Sequence, residues 1–261
     1  MSRLLPPLVV GATLAAACGS GTAPDRPREP WVDRPVADWP DFALTNDIRF
    51  TDTTYRGVAN ALLVDTGADT VGVTVKHVFL ALERWRDGVT GIALGDDFVQ
   101  WRFRSSRDPG RVVVAGRLVN ADPDERIGDF SGLKDRDWLV FEIGVVPDGA
   151  YPLKLRLEPL ASGEVVRAVG RSRAARDDPD PGAVPLRHYR SASNYYYVRP
   201  ADAGADPEAT SGSPVIDGDG YLVGIVSGAV GSLGVVCGAG YLRQVFDRHG
   251  IPYDPGGAGS P

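Results

Sequence analysis

Cysteine is scarce in this chain: 261 residues hold only Cys18 and Cys237. Cys18 closes the N-terminal apolar stretch, so the rest of the chain has no pair of cysteines to bridge and is expected to fold without disulfides. Positive charge is in short supply as well. The formal net charge is −6, and the arginine-rich run at 170–180 neutralises itself with acids, which argues against a nucleic-acid binder. A membrane-length apolar run is missing. The apolar stretch near the N-terminus is short for a span and is broken by Pro6 and Pro7. Helical periodicity is sparse, and no internal repeat is visible. His188 and His249 show no metal-ligand spacing with the cysteines, and no metal and no cofactor are expected. His188 and His249 read as surface residues, and Cys237, within Val-Val-Cys-Gly-Ala-Gly, as a small buried hydrophobe.

Apolar residues are plentiful by contrast, at 43%, enough for one large domain or two small ones with real cores. Residues 1–17 have the architecture of a signal peptide: Arg3, then an apolar run, then small residues. Residues 14–18, Leu-Ala-Ala-Ala-Cys, resemble the lipobox of bacterial lipoproteins, in which the signal is cut before a cysteine that is then lipidated. Leu14 stands one place early, and Ala15 occupies the usual leucine position. The resemblance implies an exported protein, anchored in the bacterial envelope through a lipid on Cys18. Residues 18–40 are rich in Pro, Gly and charge and read as a tether.

Short runs of Val, Ile, Tyr and Phe follow, separated by turn residues, as β-strands require. Five lie between 57 and 146. Five more, beginning with Leu-Lys-Leu-Arg-Leu at 153–157, lie in the second half. Asp217-Gly218-Asp219-Gly220 between two apolar runs signals a hairpin. Residues 240–250 form the best helical pattern, with Leu242, Val245 and Phe246 on one face and Gly250 at the C-terminal cap. Residues 251–261 read as a frayed tail. The expectation is an all-β chain of two six-stranded-type barrels, 41–146 and 147–250, with a short C-terminal helix.

Residues 62–77 carry two incompatible catalytic patterns. Asp65-Thr66-Gly67 looks like an aspartic-protease loop. That chemistry needs two carboxylates sharing a proton, and no second Asp-Thr/Ser-Gly exists in the chain. Asp, Gly and Asp are also ordinary turn formers. Thr74-Val75-Lys76-His77 has better company. Ser211-Gly212-Ser213-Pro214 is followed by a strand, a hairpin and Gly224-Ile225-Val226-Ser227, and Asp137 directly precedes the apolar run Trp138–Ile143; Asp135 is the nearby rival.

These three blocks resemble those of trypsin-like (chymotrypsin-fold) serine proteases. The resemblance implies a double barrel with His77 as general base, Asp137 orienting it and Ser211, not Ser213, as nucleophile. His, Asp and Ser come in the chain order that this fold uses. A hydroxyl becomes a competent nucleophile when an imidazole takes its proton, and the unperturbed pKa of His suits it to that task. The resemblance further implies an oxyanion hole of the Ala209 and Ser211 amides and a substrate cleft along Ser227, Gly228 and Ala229. Asp202, Asp206 or Glu208 would favour a basic side chain if one points inward. The chain departs from the family in three places. Ala209 replaces a glycine and resists positive φ, Thr210 replaces an aspartate, and Val75-Lys76 replace smaller residues. The expected function is that of a monomeric serine endopeptidase acting on envelope or extracellular proteins or peptides. The alternative is a catalytically silent barrel that binds a protein or peptide in the same cleft.

Overall fold

The computed structural model describes residues 26–171, 180–201 and 211–254. Twelve strands are described: β1 Leu44–Phe50, β2 Thr54–Asp65, β3 Thr70–Thr74, β4 Phe98–Ser105, β5 Val112–Leu118, β6 Leu139–Ile143, β7 Val165–Gly170, β8 Gly182–Ala192, β9 Tyr195–Pro200, β10 Pro214–Ile216, β11 Leu222–Val230 and β12 Leu233–Gly238. They close into two antiparallel barrels, in the orders β1-β2-β3-β6-β5-β4 and β10-β11-β12-β9-β8-β7. The double-barrel, all-β expectation is met. Three short α-helices are described with them: α1 Val78–Trp85, α2 Phe130–Leu133 and α3 Ala239–His249. None is long and apolar enough to cross a membrane.

The turn residues act as their chemistry demands. In the β10–β11 hairpin, Asp217 Oδ1 accepts from the amides of Asp219 (3.0 Å) and Tyr221 (2.9 Å). Gly220 there takes φ +93°, a value that favours glycine. Asp65-Thr66-Gly67 is the turn between β2 and β3. The Thr66 hydroxyl donates to the Asp69 carbonyl at 2.9 Å, and Asp65 Oδ1 accepts from the Gly67 amide at 2.8 Å.

Several boundaries differ from the sequence reading. The apolar run at 71–79 reads as one strand, but β3 stops at Thr74 and α1 begins at Val78. Val78, Phe79 and Leu82 bury one helical face, so the period changes from 2 to 3.6 at His77. Leu153 and Leu155 form only isolated bridges, to Val64 and Leu222, because this segment carries the chain between the barrels rather than joining either sheet. The tether expected over 18–40 is not free of the fold throughout. Trp31, Val32 and Trp39 are buried, and Trp31 packs against Trp39 and Phe42 at ring-centroid distances of 5.3 and 5.2 Å. Residues 251–254, expected to belong to a frayed tail, are held against the fold. Tyr253 is buried, its hydroxyl donates to the Leu155 carbonyl, and the Asp254 amide donates to the Thr66 carbonyl.

One buried cluster fills the first barrel and continues through Ile216, Leu222 and Ile225 to α3; a smaller one around Val166, Val215 and Val236 fills the second. Phe246, fully buried on α3, belongs to the continuous cluster. Phe246→Ala should therefore destabilise the chain by about 3–5 kcal/mol, since a large cavity cannot fully collapse. Urea denaturation checks this; a loss below about 1 kcal/mol would show that α3 is not part of the cooperative core.

Candidate active site

The two barrels meet where the loops after β3 and before β6 face the β10–β11 pair. His77 sits at the N-terminal end of α1, with helical backbone angles of φ −65° and ψ −4°. That bend brings both of its N–H groups toward Asp137. The backbone amide donates to Asp137 Oδ1 at 2.8 Å, and Nδ1 lies 2.7 Å from Oδ2. Two contacts to one carboxylate fix both the position of the residue and the rotation of its ring. A carboxylate opposite Nδ1 selects the tautomer that carries the proton there and leaves Nε2 free to accept.

Asp137 is fully buried. A buried carboxylate needs several donors, and a third is the Ser227 hydroxyl. Asp135 makes no hydrogen bond or ion pair to His77 among the described residues. Behind this pair, the preceding residues are also joined: Glu125 accepts from Lys76 Nζ at 2.8 Å and lies 3.5 Å from Arg136. Burial alone would lower the His77 pKa. The attraction of the Asp137 carboxylate and the hydrogen bond to it together outweigh burial, and the pKa is raised above 6.5.

Ser211 begins a tight turn. Gly212 has φ +80°, its amide donates to the Val226 carbonyl at 2.8 Å, and the Val226 amide donates to the Ser213 carbonyl at 2.9 Å. The Ser211 turn is thus paired with the residue directly before Ser227, whose hydroxyl touches Asp137. Among the described residues no hydrogen bond joins the Ser211 hydroxyl to His77; such contacts often tighten only when substrate binds. Ser213 is fully buried, so its hydroxyl is inaccessible to a substrate. Ala209, like Cys18, Thr210, Asp202, Asp206 and Glu208, lies outside the described residues.

Gly228 and Ala229 continue from Ser227 along β11. Gly228 faces the ring of Phe130, which also meets the His77 ring edge-on at 5.8 Å. Neither Phe130 nor the donor role of Ser227 was apparent in the sequence. No pattern marks an aromatic seven residues before an aspartate. His188 is not the surface residue expected: it is buried, with Nδ1 2.9 Å from the Ala161 carbonyl and Nε2 3.1 Å from Ser191 Oγ. His249 lies exposed at the end of α3. Cys237 is buried, and desolvation pushes its thiol pKa well above 9.0. Among the described residues no cluster of three His, Cys, Asp or Glu could hold a metal.

The fold is shared with known proteases. The Rv3671c protease of M. tuberculosis in its active form superposes with a TM-score of 0.52 and 17% identity, over 97% of this chain and 98% of that one. Its inactive form gives a TM-score of 0.51 at 19% identity, over 87% and 100%. The serine endoprotease from Yersinia pestis gives 0.52 at 15% identity, over 83% of this chain and 65% of that one. No curated protein sequence matches the chain. The family description "Trypsin-like peptidase domain" does match, over residues 61–225, a stretch that holds His77, Asp137 and Ser211. The chain therefore belongs to the trypsin-like peptidase domain family.

Proposed function

We propose that the protein is a serine endopeptidase in which His77, Asp137 and Ser211 act as the catalytic triad. The observation that carries this reading is the twofold hold of Asp137 on His77, with 2.8 and 2.7 Å contacts and Ser227 closing the carboxylate. In the proposed reaction, the Ser211 hydroxyl gives its proton to His77 Nε2 as its oxygen attacks the substrate carbonyl carbon. The resulting oxyanion accepts from the amides of Ser211 and Ala209. Protonated His77 then donates to the leaving amine, the peptide bond breaks, and an acyl-enzyme remains. Water repeats the cycle and releases the acid. No cofactor enters these steps. The cleft runs along Ser227, Gly228 and Ala229, with Phe130 as one wall. The N-terminal sequence supports export and a lipid on Cys18, which would confine the substrates to envelope or extracellular proteins. Palmitate incorporation that disappears in Cys18→Ser checks the anchor.

The test is covalent labelling of the full chain with a fluorophosphonate, read by mass spectrometry beside Ser211→Ala. Labelling at Ser211, absent from the variant, is the expected result. A folded chain that stays unlabelled overturns the reading and favours the silent peptide-binding barrel.

The raised His77 pKa gives a further expectation. The proposed base works only when neutral, so labelling should rise with pH through an apparent pKa above 6.5, the ordinary value. The same group contributes stability that is full below its unfolded pKa and lost as pH rises through the folded one. Labelling rate and this share of stability should therefore change in opposite directions across that window. A labelling profile with its midpoint below 6.5 would contradict the raised pKa.

A further inference from the structure

Asn60 lies on β2 of the first barrel, yet its side chain serves the second. Nδ2 donates to the Arg171 carbonyl at 3.1 Å, and Oδ1 accepts from the Arg171 amide at 3.0 Å. Both partners belong to the residue that follows β7. Nδ2 also reaches the Ser211 carbonyl at 3.3 Å, and the Asn60 amide donates to the same oxygen at 2.8 Å. One residue thus holds two separate loops of the opposite barrel, one of them by the residue proposed as nucleophile.

Its own carbonyl is held from the other side. Thr74 Oγ1 donates to it at 2.7 Å, and Asn46 Nδ2 donates to it at 3.2 Å and to Thr74 Oγ1 at 2.8 Å. Trp101 Nε1 donates to Asn46 Oδ1 at 2.7 Å, which locks that amide. Asn46, Asn60, Thr74 and Trp101 are all buried, where unpaired polar groups are costly and paired ones are stiff. Thr74 stands three residues before His77. A continuous buried network therefore runs from the base of the histidine segment, through Asn60, to the carbonyl of Ser211. Gly212 completes the fit: a Cβ there would collide with the Asn60 carbonyl oxygen.

We infer that Asn60 is a positioning residue that sets the spacing between His77 on one barrel and Ser211 on the other. This rests on the serine-peptidase reading for its effect on rate, but not for its effect on the loop. Small errors in such spacing cost large factors in rate. Affinity for a ligand in the cleft need not change.

The experiment uses the full chain with Asn60→Ala and Asn60→Asp. The aspartate keeps the shape and the acceptor for the Arg171 amide, and removes both donors. Val166→Ala, a cavity in the second-barrel core away from this network, serves as the control for stability alone. The maximal rate of fluorophosphonate labelling at saturating probe should fall at least about tenfold in both Asn60 variants. Half-saturation should stay put, and the low-field proton signal of the His77–Asp137 hydrogen bond should persist. Val166→Ala should keep its maximal labelling rate despite a comparable loss in Tm. Exchange of the Gly212 amide, which bonds Val226 and not Asn60, should accelerate at least about tenfold in the Asn60 variants alone. If Asn60→Ala does not fold, the near-isosteric aspartate decides. Wild-type labelling and exchange in Asn60→Asp overturn the inference, as does an equal rate loss in Val166→Ala. An unlabelled wild type instead defeats the peptidase reading, and the Gly212 exchange then decides the clamp by itself.

Discussion

Asp137→Asn should slow labelling of Ser211 about ten-thousandfold while the barrels stay folded. The carboxylate accepts from three donors: the His77 amide, the His77 ring and the Ser227 hydroxyl. An amide has one acceptor oxygen and one donor nitrogen. With its oxygen kept by the backbone amide of His77 at the Oδ1 position, its NH2 would face Nδ1. The ring would then place its proton on Nε2, the atom that the proposed mechanism needs free to accept the serine proton. Full burial of Asp137 leaves no water to repair the pairing, and removal of the negative charge also ends the support for a protonated His77. The rate of phosphonate labelling measures the effect, and the ¹⁵N shifts of the His77 ring report the tautomer. A loss smaller than about tenfold would mean that Asp137 does not serve the reaction in this way.

Gly212→Ala should be the most damaging single methyl in the second barrel. The backbone there has φ +80°, and a left-handed conformation costs an alanine about 1–2 kcal/mol. The new Cβ would also collide with the carbonyl oxygen of Asn60. That oxygen cannot retreat easily, because Thr74 and Asn46 both donate to it. The turn must move instead, and Ser211 moves with it. The expected result is a drop in the urea midpoint together with a loss of labelling of about a hundredfold. Gly218→Ala is the matched control. It lies in an exposed turn with no neighbour near a new Cβ and no positive φ, so its stability should stay within about 0.5 kcal/mol. Equal behaviour of the two variants would refute the account of the turn.

Periodicity and turn chemistry carried far in this chain. The strand runs, the Asp217–Gly220 hairpin and the helix ending at Gly250 could be read locally, because each depends on neighbours a few residues away. β1 was harder to see. Its residues include Asn46, Asp47 and Arg49, and its polar side chains find partners only once the barrel closes: Asp47 meets Arg104, and Asn46 meets Thr74 and Trp101. The end of β3 at Thr74 was missed for a related reason, since a run of apolar residues does not show where a strand period gives way to a helical one.

By itself, the sequence determined that this would be a β-rich chain of two barrels, and it marked His77, Asp137 and Ser211 as the residues to examine. Short blocks with distinctive flanks are a local property, legible without coordinates. Only the tertiary structure decided what surrounds them. It brought His77 to Asp137 across 60 positions, Ser227 to the same carboxylate across 90, and Asn60 to the Ser211 carbonyl across 151. Asparagine and serine are common polar residues, and nothing in their neighbours states whom they will bond. Their partners are set by how two closed barrels dock, where every buried donor and acceptor must be matched at once.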